Sequence, residues 1–353
     1  MTKRERIEAA LALQEPDRTP ILGGWIASPD HMMDLTGVSA EEYWADPVDV
    51  SIRAYEELGS DGLVDVFVPK HRDDFRCVDH DTYKSAEGTM TLEETVEHIE
   101  GLPSAEQIER EFNFEGEYAD FKSGLELRQA QCGDMVWMPA QWGAGASISW
   151  YQVYGYENFF ALVGLYPELT KKLLEIGGAR GHCRSRLIAR AHQEGLYPGA
   201  VFLGEDICTQ RGPMISPDFI EKYYIPQLRH GLAPLLEVGC RPVWHCDGDV
   251  RLLLEMLIDA GVQGFQGFQP ECEMLLEDIV KLRTAGGEKL LIFGPLAVTT
   301  ELPVCAAAEI ERKVHEAIDT CAGNASLLLF TSNTINPDVP LDNIVAMHRA
   351  VNR

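Results

Sequence analysis

Basic residues are scarce in this chain: 30 Lys and Arg stand against 56 Asp and Glu, a formal charge of −26 at pH 7. A surface so acidic repels phosphate backbones and anionic lipids, which argues against nucleic-acid and membrane-surface binding. The shortage is sharpest near the start, where no Lys or Arg occurs between Arg18 and Arg53. Cysteine pairs are missing too. The nine cysteines (77, 132, 183, 208, 240, 246, 272, 305 and 321) are odd in number, scattered and never spaced C-x-x-C, so neither a disulfide framework nor a zinc ribbon is expected. No run approaches about 18 uncharged apolar residues. The opening Met-Thr-Lys-Arg-Glu-Arg-Ile-Glu carries charges where a secretory signal needs its apolar stretch. The expectation is a soluble, cytoplasmic protein with reduced thiols. There is no Gly-x-Ser-x-Gly elbow, Gly-Lys-Ser/Thr phosphate loop or His-Glu-x-x-His helix, which weighs against hydrolase, kinase and zincin chemistry.

What is present is a series of short apolar runs separated by helical patterns. The runs are Thr19 to Trp25, Gly62 to Val68, Met135 to Gln141, Ala200 to Asp206, Arg241 to Asp249, Gly264 to Gln269, Leu290 to Gly294 and Ser326 to Thr331. Strands that alternate with helices in this way predict an α/β protein, here a (β/α)8 TIM barrel spanning residues 1–353 as a single domain. An N-terminal helix capped by Thr2 should plug or flank it, and a last helix should start near Pro340. A bare barrel needs roughly 250 residues, so a chain of 353 has about 100 to spare. They fall after strands 2 and 3, as insertions covering the mouth. The first runs from Pro69 to Asp134, with a hairpin expected around Phe75 to Thr91 and a helix opening at the capping box Ser104-Ala-Glu-Gln107. A doubly wound open sheet is the alternative, but Gly143-Ala-Gly145 lacks the third glycine of its phosphate turn and follows the wrong strand.

The richest stretch is Arg241-Pro-Val-Trp-His-Cys-Asp-Gly-Asp249, an apolar strand ending in imidazole, thiol and carboxylate. Alternation along a strand turns His245 and Asp247 to one face and Cys246 to the other. A helix should follow, with Asp249 as N-cap, running to Gly261. Polar side chains at strand C-termini are where barrel enzymes do chemistry. Such positions here are Trp25, Asp65, Gln141, Trp142, Glu205, Asp206, His245, Asp247, Gln269, Ser332 and Asn333. His245, Asp247, Asp206 and Glu205 are the candidates for catalysis, and Trp25, Asp65, Gln141, Trp142, Gln269 and Asn333 for substrate binding. His245 and Asp247 can serve as ligands of a divalent metal such as zinc, with a third from Glu205 or Asp206, as an acid/base pair, or as a structural pair. Cys246 is expected in the core.

Several motifs resemble the uroporphyrinogen decarboxylase superfamily, which also includes cobalamin-dependent methyltransferases. They are Glu15-Pro-Asp-Arg-Thr-Pro20, Gly204-Glu-Asp206 with Gly212-Pro and Ser216-Pro, Trp244-His-Cys-Asp-Gly248, Gly261-Val-Gln-Gly with Gln269-Pro, and Asn336-Pro-Asp-Val-Pro-Leu-Asp-Asn343. The resemblance implies a TIM barrel and either decarboxylation or methyl transfer. The decarboxylase pattern places paired arginines after the first strand, where this chain has Gly23-Gly-Trp-Ile-Ala-Ser-Pro-Asp30. A substrate with eight carboxylates is therefore disfavoured. The thiol-methylating branch carries His-x-Cys-Gly and a later cysteine as zinc ligands. His245 matches, but Asp247 and Asn333 stand at the cysteine positions, implying an oxygen-rich metal site or none. Branches that use tetrahydrofolate need no thiol-activating zinc, and Asp206 and Asp247 would then hold the pterin. The resemblance thus implies a corrinoid-dependent methyltransferase working between a corrinoid protein and a small acceptor or donor such as tetrahydrofolate, with room for a homodimer. The alternatives are a decarboxylase or other lyase acting on a carboxylated small molecule, and a binding subunit without catalysis.

Overall fold

The computed structural model describes residues 1–68 and 90–351. The expected hairpin around Phe75 to Thr91 lies outside them, save for its last two residues, of which Thr91 caps the helix Leu92–Gly101.

All eight expected strands are present: β1 (Leu22–Gly23), β2 (Gly62–Leu63), β3 (Val136–Trp137), β4 (Ala200–Gly204), β5 (Arg241–His245), β6 (Gly264–Gln266), β7 (Leu291–Leu296) and β8 (Ser326–Thr331). They pair in parallel as a three-stranded sheet, β1-β2-β3, and a five-stranded sheet, β8-β7-β6-β5-β4. Backbone links join the two. A parallel bridge connects Ile21 to Leu329, whose N–H donates to the Pro20 carbonyl at 2.8 Å, and the Gln141 N–H donates to the Phe202 carbonyl at 2.7 Å. Neighbouring strands thus follow chain order, with helices between them.

Several strands are shorter than expected. In the first three runs only two residues each form regular ladder. The rest stays extended through single bonds such as Met138 N–H to the Leu63 carbonyl, 2.8 Å, and Ala140 N–H to the Val64 carbonyl, 3.2 Å. The helix expected from Asp249 starts late: Asp249 accepts from the Arg251 N–H at 3.1 Å, a 3-10 turn covers Arg251–Leu253, and the α-helix runs Leu254–Ala260. The helix after Ser216-Pro217 contains a π-helical turn, Ile220–Tyr224, before continuing as Ile225–Glu237.

Period-2 alternation divides the strand residues between two environments. Ala200, Phe202, Val243, Leu291, Phe293, Leu328 and Phe330 join one central cluster with Trp25, Val64 and Met138, while Val201, Leu203, Trp244 and Ile292 pack outward against helices. Each fully buried large apolar side chain stabilises the fold by about 1.5–3 kcal/mol. The helix Lys3–Leu11 adds Ile7, Ala10 and Leu11 to the central cluster, so it plugs one end as expected. Its Arg6, with Arg18, grips the fully buried Asp61 carboxylate at 2.6 and 2.7 Å, and the Ile21 N–H donates to the same carboxylate at 2.9 Å. With one end closed by a helix and charge pairs, chemistry is left to the other, at the strand C-termini.

Candidate active site

Val243 faces the central cluster, so His245, two residues on, faces the same interior at the end of β5. It is buried, and its ring orientation is set by Gln266, the last residue of β6. The Gln266 amide NH2 donates to the Thr331 and Ser332 carbonyls at 2.6 and 2.9 Å. Its Oε1 therefore turns to His245 Nδ1, and an acceptor there requires Nδ1 to carry the proton. The other nitrogen, Nε2, sits 3.4 Å from Asp206 Oδ1. A neutral imidazole would point a lone pair at a carboxylate. Something positive, a proton or a metal cation, must satisfy both.

Asp247 completes the group. The strand ends at His245, and the next residues turn so that the Asp247 N–H donates to Asp206 Oδ1 at 3.3 Å, while Asn333 Nδ2 donates to Asp247 Oδ2. Gly248 allows the turn: its φ is +83°, and a Cβ there would lie 2.5 Å from the Thr209 carbonyl oxygen. Gln269 Oε1 accepts from the Gly248 N–H at 2.6 Å and pins it. The remaining oxygen, Asp247 Oδ1, is buried without a hydrogen-bond partner. Ligand atoms of Asp206, His245 and Asp247 all lie within 4.8 Å of one another.

The electrostatics follow from burial and crowding. Burial alone would pull the His245 imidazole down, but the Asp206 hydrogen bond and the charges of Asp206 and Asp247 push it up to about 9. Burial works to raise Asp206 as well, yet His245 holds it below the ordinary carboxylate value. Asp247 goes the other way, pushed up to about 6 by burial and by the Asp206 charge against the opposing pull of His245. Burial raises Glu205 to about 7, although it accepts from the Ser149 N–H at 3.1 Å. Four ionisable groups thus share one site without a described Lys or Arg lining it.

A cavity of about 460 Å³ opens above them, a size ordinary for small-molecule sites. Trp25, Phe67 and Trp142 form its aromatic wall, and Ser147, Ser149, Gln152, Gly204, Glu205, Asp206, His245, Asn333 and Thr334 complete the lining. Trp142 meets His245 edge to face at 5.5 Å between ring centroids. An orphaned buried carboxylate oxygen, a second carboxylate and an imidazole nitrogen fit a hard or borderline divalent ion. The thiol of Cys246 is no ligand; it is buried and donates to the Asp247 carbonyl at 3.0 Å.

The chain shares its fold with a methyltransferase from Methanosarcina mazei. At 14% sequence identity the superposition covers 100% of this chain and 98% of that one, with a TM-score of 0.62. No protein-family model and no curated protein matches the chain.

Six sequence-predicted residues line this cavity, Trp25, Trp142, Glu205, Asp206, His245 and Asn333, and a seventh, Asp247, lies against the last three of them. Three of the other four serve from outside. Gln141 is turned away, its Oε1 accepting from Arg184 Nε at 2.9 Å. Gln269 braces the Gly248 turn, and Ser332 is fully buried, its Oγ accepting from the Val298 N–H at 3.2 Å. Asp65 is not in the cavity lining; burial pushes its carboxyl up to about 7. Sequence reasoning missed Gln266, although counting inward positions along β6 would have shown it beside His245. It also missed the loop residues Ser147 and Ser149, which carry no periodic signal, and Tyr151, which opens a single helical turn, Tyr151–Tyr154, and whose hydroxyl donates to the Asp206 carbonyl at 2.7 Å.

Proposed function

We propose that this protein is a methyltransferase of the uroporphyrinogen decarboxylase superfamily, built on a closed (β/α)8 barrel and working with a corrinoid-carrying partner. The backbone links at both edges between the two sheets support closure, and the likeness to the Methanosarcina mazei methyltransferase supports the fold and the reaction class. The observation that carries the reading is the convergence of Asp206, His245 and Asp247, with Asp247 Oδ1 buried and unpaired, beside a cavity of small-molecule size that Asp206 and His245 line.

The chain's own residues divide the work. Asp206, His245 and Asp247 would hold a divalent ion, the donor set being harder than a thiolate site. Such an ion, when bound, polarises an oxygen or nitrogen of the methyl acceptor and favours its deprotonated form. Gln266 keeps His245 Nε2 facing the cavity by holding the proton at Nδ1. Glu205, brought near neutrality by burial, takes or returns a proton at the acceptor. Trp25 and Trp142 offer flat apolar surface on which a ring such as the pterin of tetrahydrofolate can lie and from which water is excluded. Asn333 steadies Asp247 through its amide. The partner presents its methyl group at the cavity entrance, which has no need to admit the whole corrin.

The test is methyl transfer from methylcobalamin, as donor surrogate, to tetrahydrofolate, read by corrinoid absorbance. Transfer that depends on Asp206, His245 and Asp247 supports the reading. Turnover of uroporphyrinogen, which the absence of described basic groups at the cavity disfavours, would displace it.

A further inference from the structure

Away from the mouth, three helices bring a second set of ligand-type side chains together. Glu109 comes from Ala105–Glu111 in the excursion between β2 and β3, His182 from the long helix Pro167–Gln193, and His230 from Ile225–Glu237. Their ligand atoms lie within 4.8 Å of one another. His230 Nε2 is 2.5 Å from Glu109 Oε1, and the two imidazoles lie face to face with ring centroids 4.2 Å apart. His182 Nδ1 is 3.0 Å from the His230 carbonyl oxygen. A carbonyl can only accept, so Nδ1 carries the proton and His182 Nε2 keeps its lone pair. A backbone carbonyl behind one ring nitrogen, leaving the other free, is the arrangement that orients metal-binding histidines.

We infer that Glu109, His182 and His230 form a second metal site for a borderline divalent ion of the zinc class, which clips the excursion helix to the two helices behind it. Two imidazole nitrogens and a carboxylate oxygen are an ordinary protein contribution to zinc, with water in the remaining position. The parallel rings cannot share an ion as they stand. The His230 ring has to tilt off the stack, and its side chain, 45% exposed, is free to do so. Without an ion, the His230–Glu109 contact is the polar link between the excursion helix and this pair, while the ring stack and the His182–His230 carbonyl bond join the two helices behind it. The ion would add a bond to each at one point and so couple metal binding to the order of the excursion.

The experiment is zinc titration by calorimetry, with cobalt(II) absorption as a second probe, on the full chain carrying Asp247→Asn and His245→Gln so that the mouth is silenced. One zinc per chain is expected, with affinity at least 100-fold lower after His182→Gln and at least tenfold lower after Glu109→Gln. Zinc should also slow amide exchange in residues 105–111 at least tenfold, and His182→Gln should abolish that effect. Because the three side chains lie at or near the surface, these variants should fold, and circular dichroism checks that they do. No zinc uptake in the silenced chain overturns the proposal, as does uptake that His182→Gln leaves unchanged. Since the mouth variants are the background, the outcome is independent of whether the mouth itself binds metal.

Discussion

Replacing Gln266 by methionine keeps the side chain's length and removes its polar ends, which makes it a sharp probe of how His245 is set. Gln266 is 3% exposed and makes three contacts, to His245 Nδ1 and to the Thr331 and Ser332 carbonyls. Losing a neutral hydrogen bond costs about 1 kcal/mol, and leaving a buried polar partner bare costs about 1–3 kcal/mol. With some relaxation, a total of about 2–4 kcal/mol of stability should go, measured by chemical denaturation. At the same time the Nδ1 proton loses its acceptor and the ring its orientation. Removing such an outer partner typically weakens metal binding by about 10–100-fold, so calorimetric affinity for zinc or manganese at the mouth should fall by that factor. Gln266→Glu should behave in the opposite proportion. It keeps an acceptor for Nδ1, and so most of the affinity, but turns a carboxylate toward two carbonyl oxygens and loses more stability than methionine does. If Gln266→Met costs stability while metal affinity stays within twofold of wild type, Gln266 only packs, and His245 is not the nitrogen ligand.

Other consequences can be checked separately. Asp61→Ala leaves Arg18 and one arm of Arg6 without their buried partner, Arg6 keeping Asp17 at 2.7 Å, and breaking a buried pair costs about 3–5 kcal/mol; a loss under about 1 kcal/mol in urea denaturation would mean that the Asp61 pairing does not hold the plug. His348 is buried and held down to about 3 from an ordinary 6.5. The unfolded chain therefore binds its proton first, and stability present above pH 6.5 drains away as pH falls toward 3. By pH 5 this amounts to about 2 kcal/mol, so His348→Gln should flatten the pH 7 to 5 slope of unfolding free energy by that amount, and an unchanged slope would refute it. Gly248→Ala forces a side chain onto the Thr209 carbonyl at a positive φ, at a cost of about 1–3 kcal/mol. It should move Asp247 enough to lower mouth metal affinity at least tenfold, and an unaffected affinity would show that the turn tolerates the methyl group.

The order of elements was readable because buried parallel strands leave near-continuous apolar runs, as in Ala200 to Gly204 and Ser326 to Thr331, which the structure forms as β4 and β8. Strand ends were less readable. The turn after His245 ends its strand earlier than the run to Asp249 suggests. Asp247 was expected opposite Cys246 by strand alternation, yet it reaches Asp206 by a turn that Gly248 and Gln269 hold. Gln141 looked like a mouth residue by position, but the Arg184 guanidinium, 43 residues on, draws it outward. Such long-range pairings leave no mark on local sequence. The same holds for Gln266, whose role depends on carbonyls of β8 and the residue after it.

The most direct measurement follows the cobalt–carbon bond of methylcobalamin by absorbance while purified wild-type protein, Asp247→Ala and His245→Ala are each offered tetrahydrofolate and a divalent metal. The account predicts loss of the methylcobalamin spectrum with the wild type, at least tenfold slower in both variants, and no conversion of uroporphyrinogen in a parallel reaction. An unchanged methylcobalamin spectrum with the wild type, equal rates in all three proteins, or efficient decarboxylation of uroporphyrinogen would contradict it.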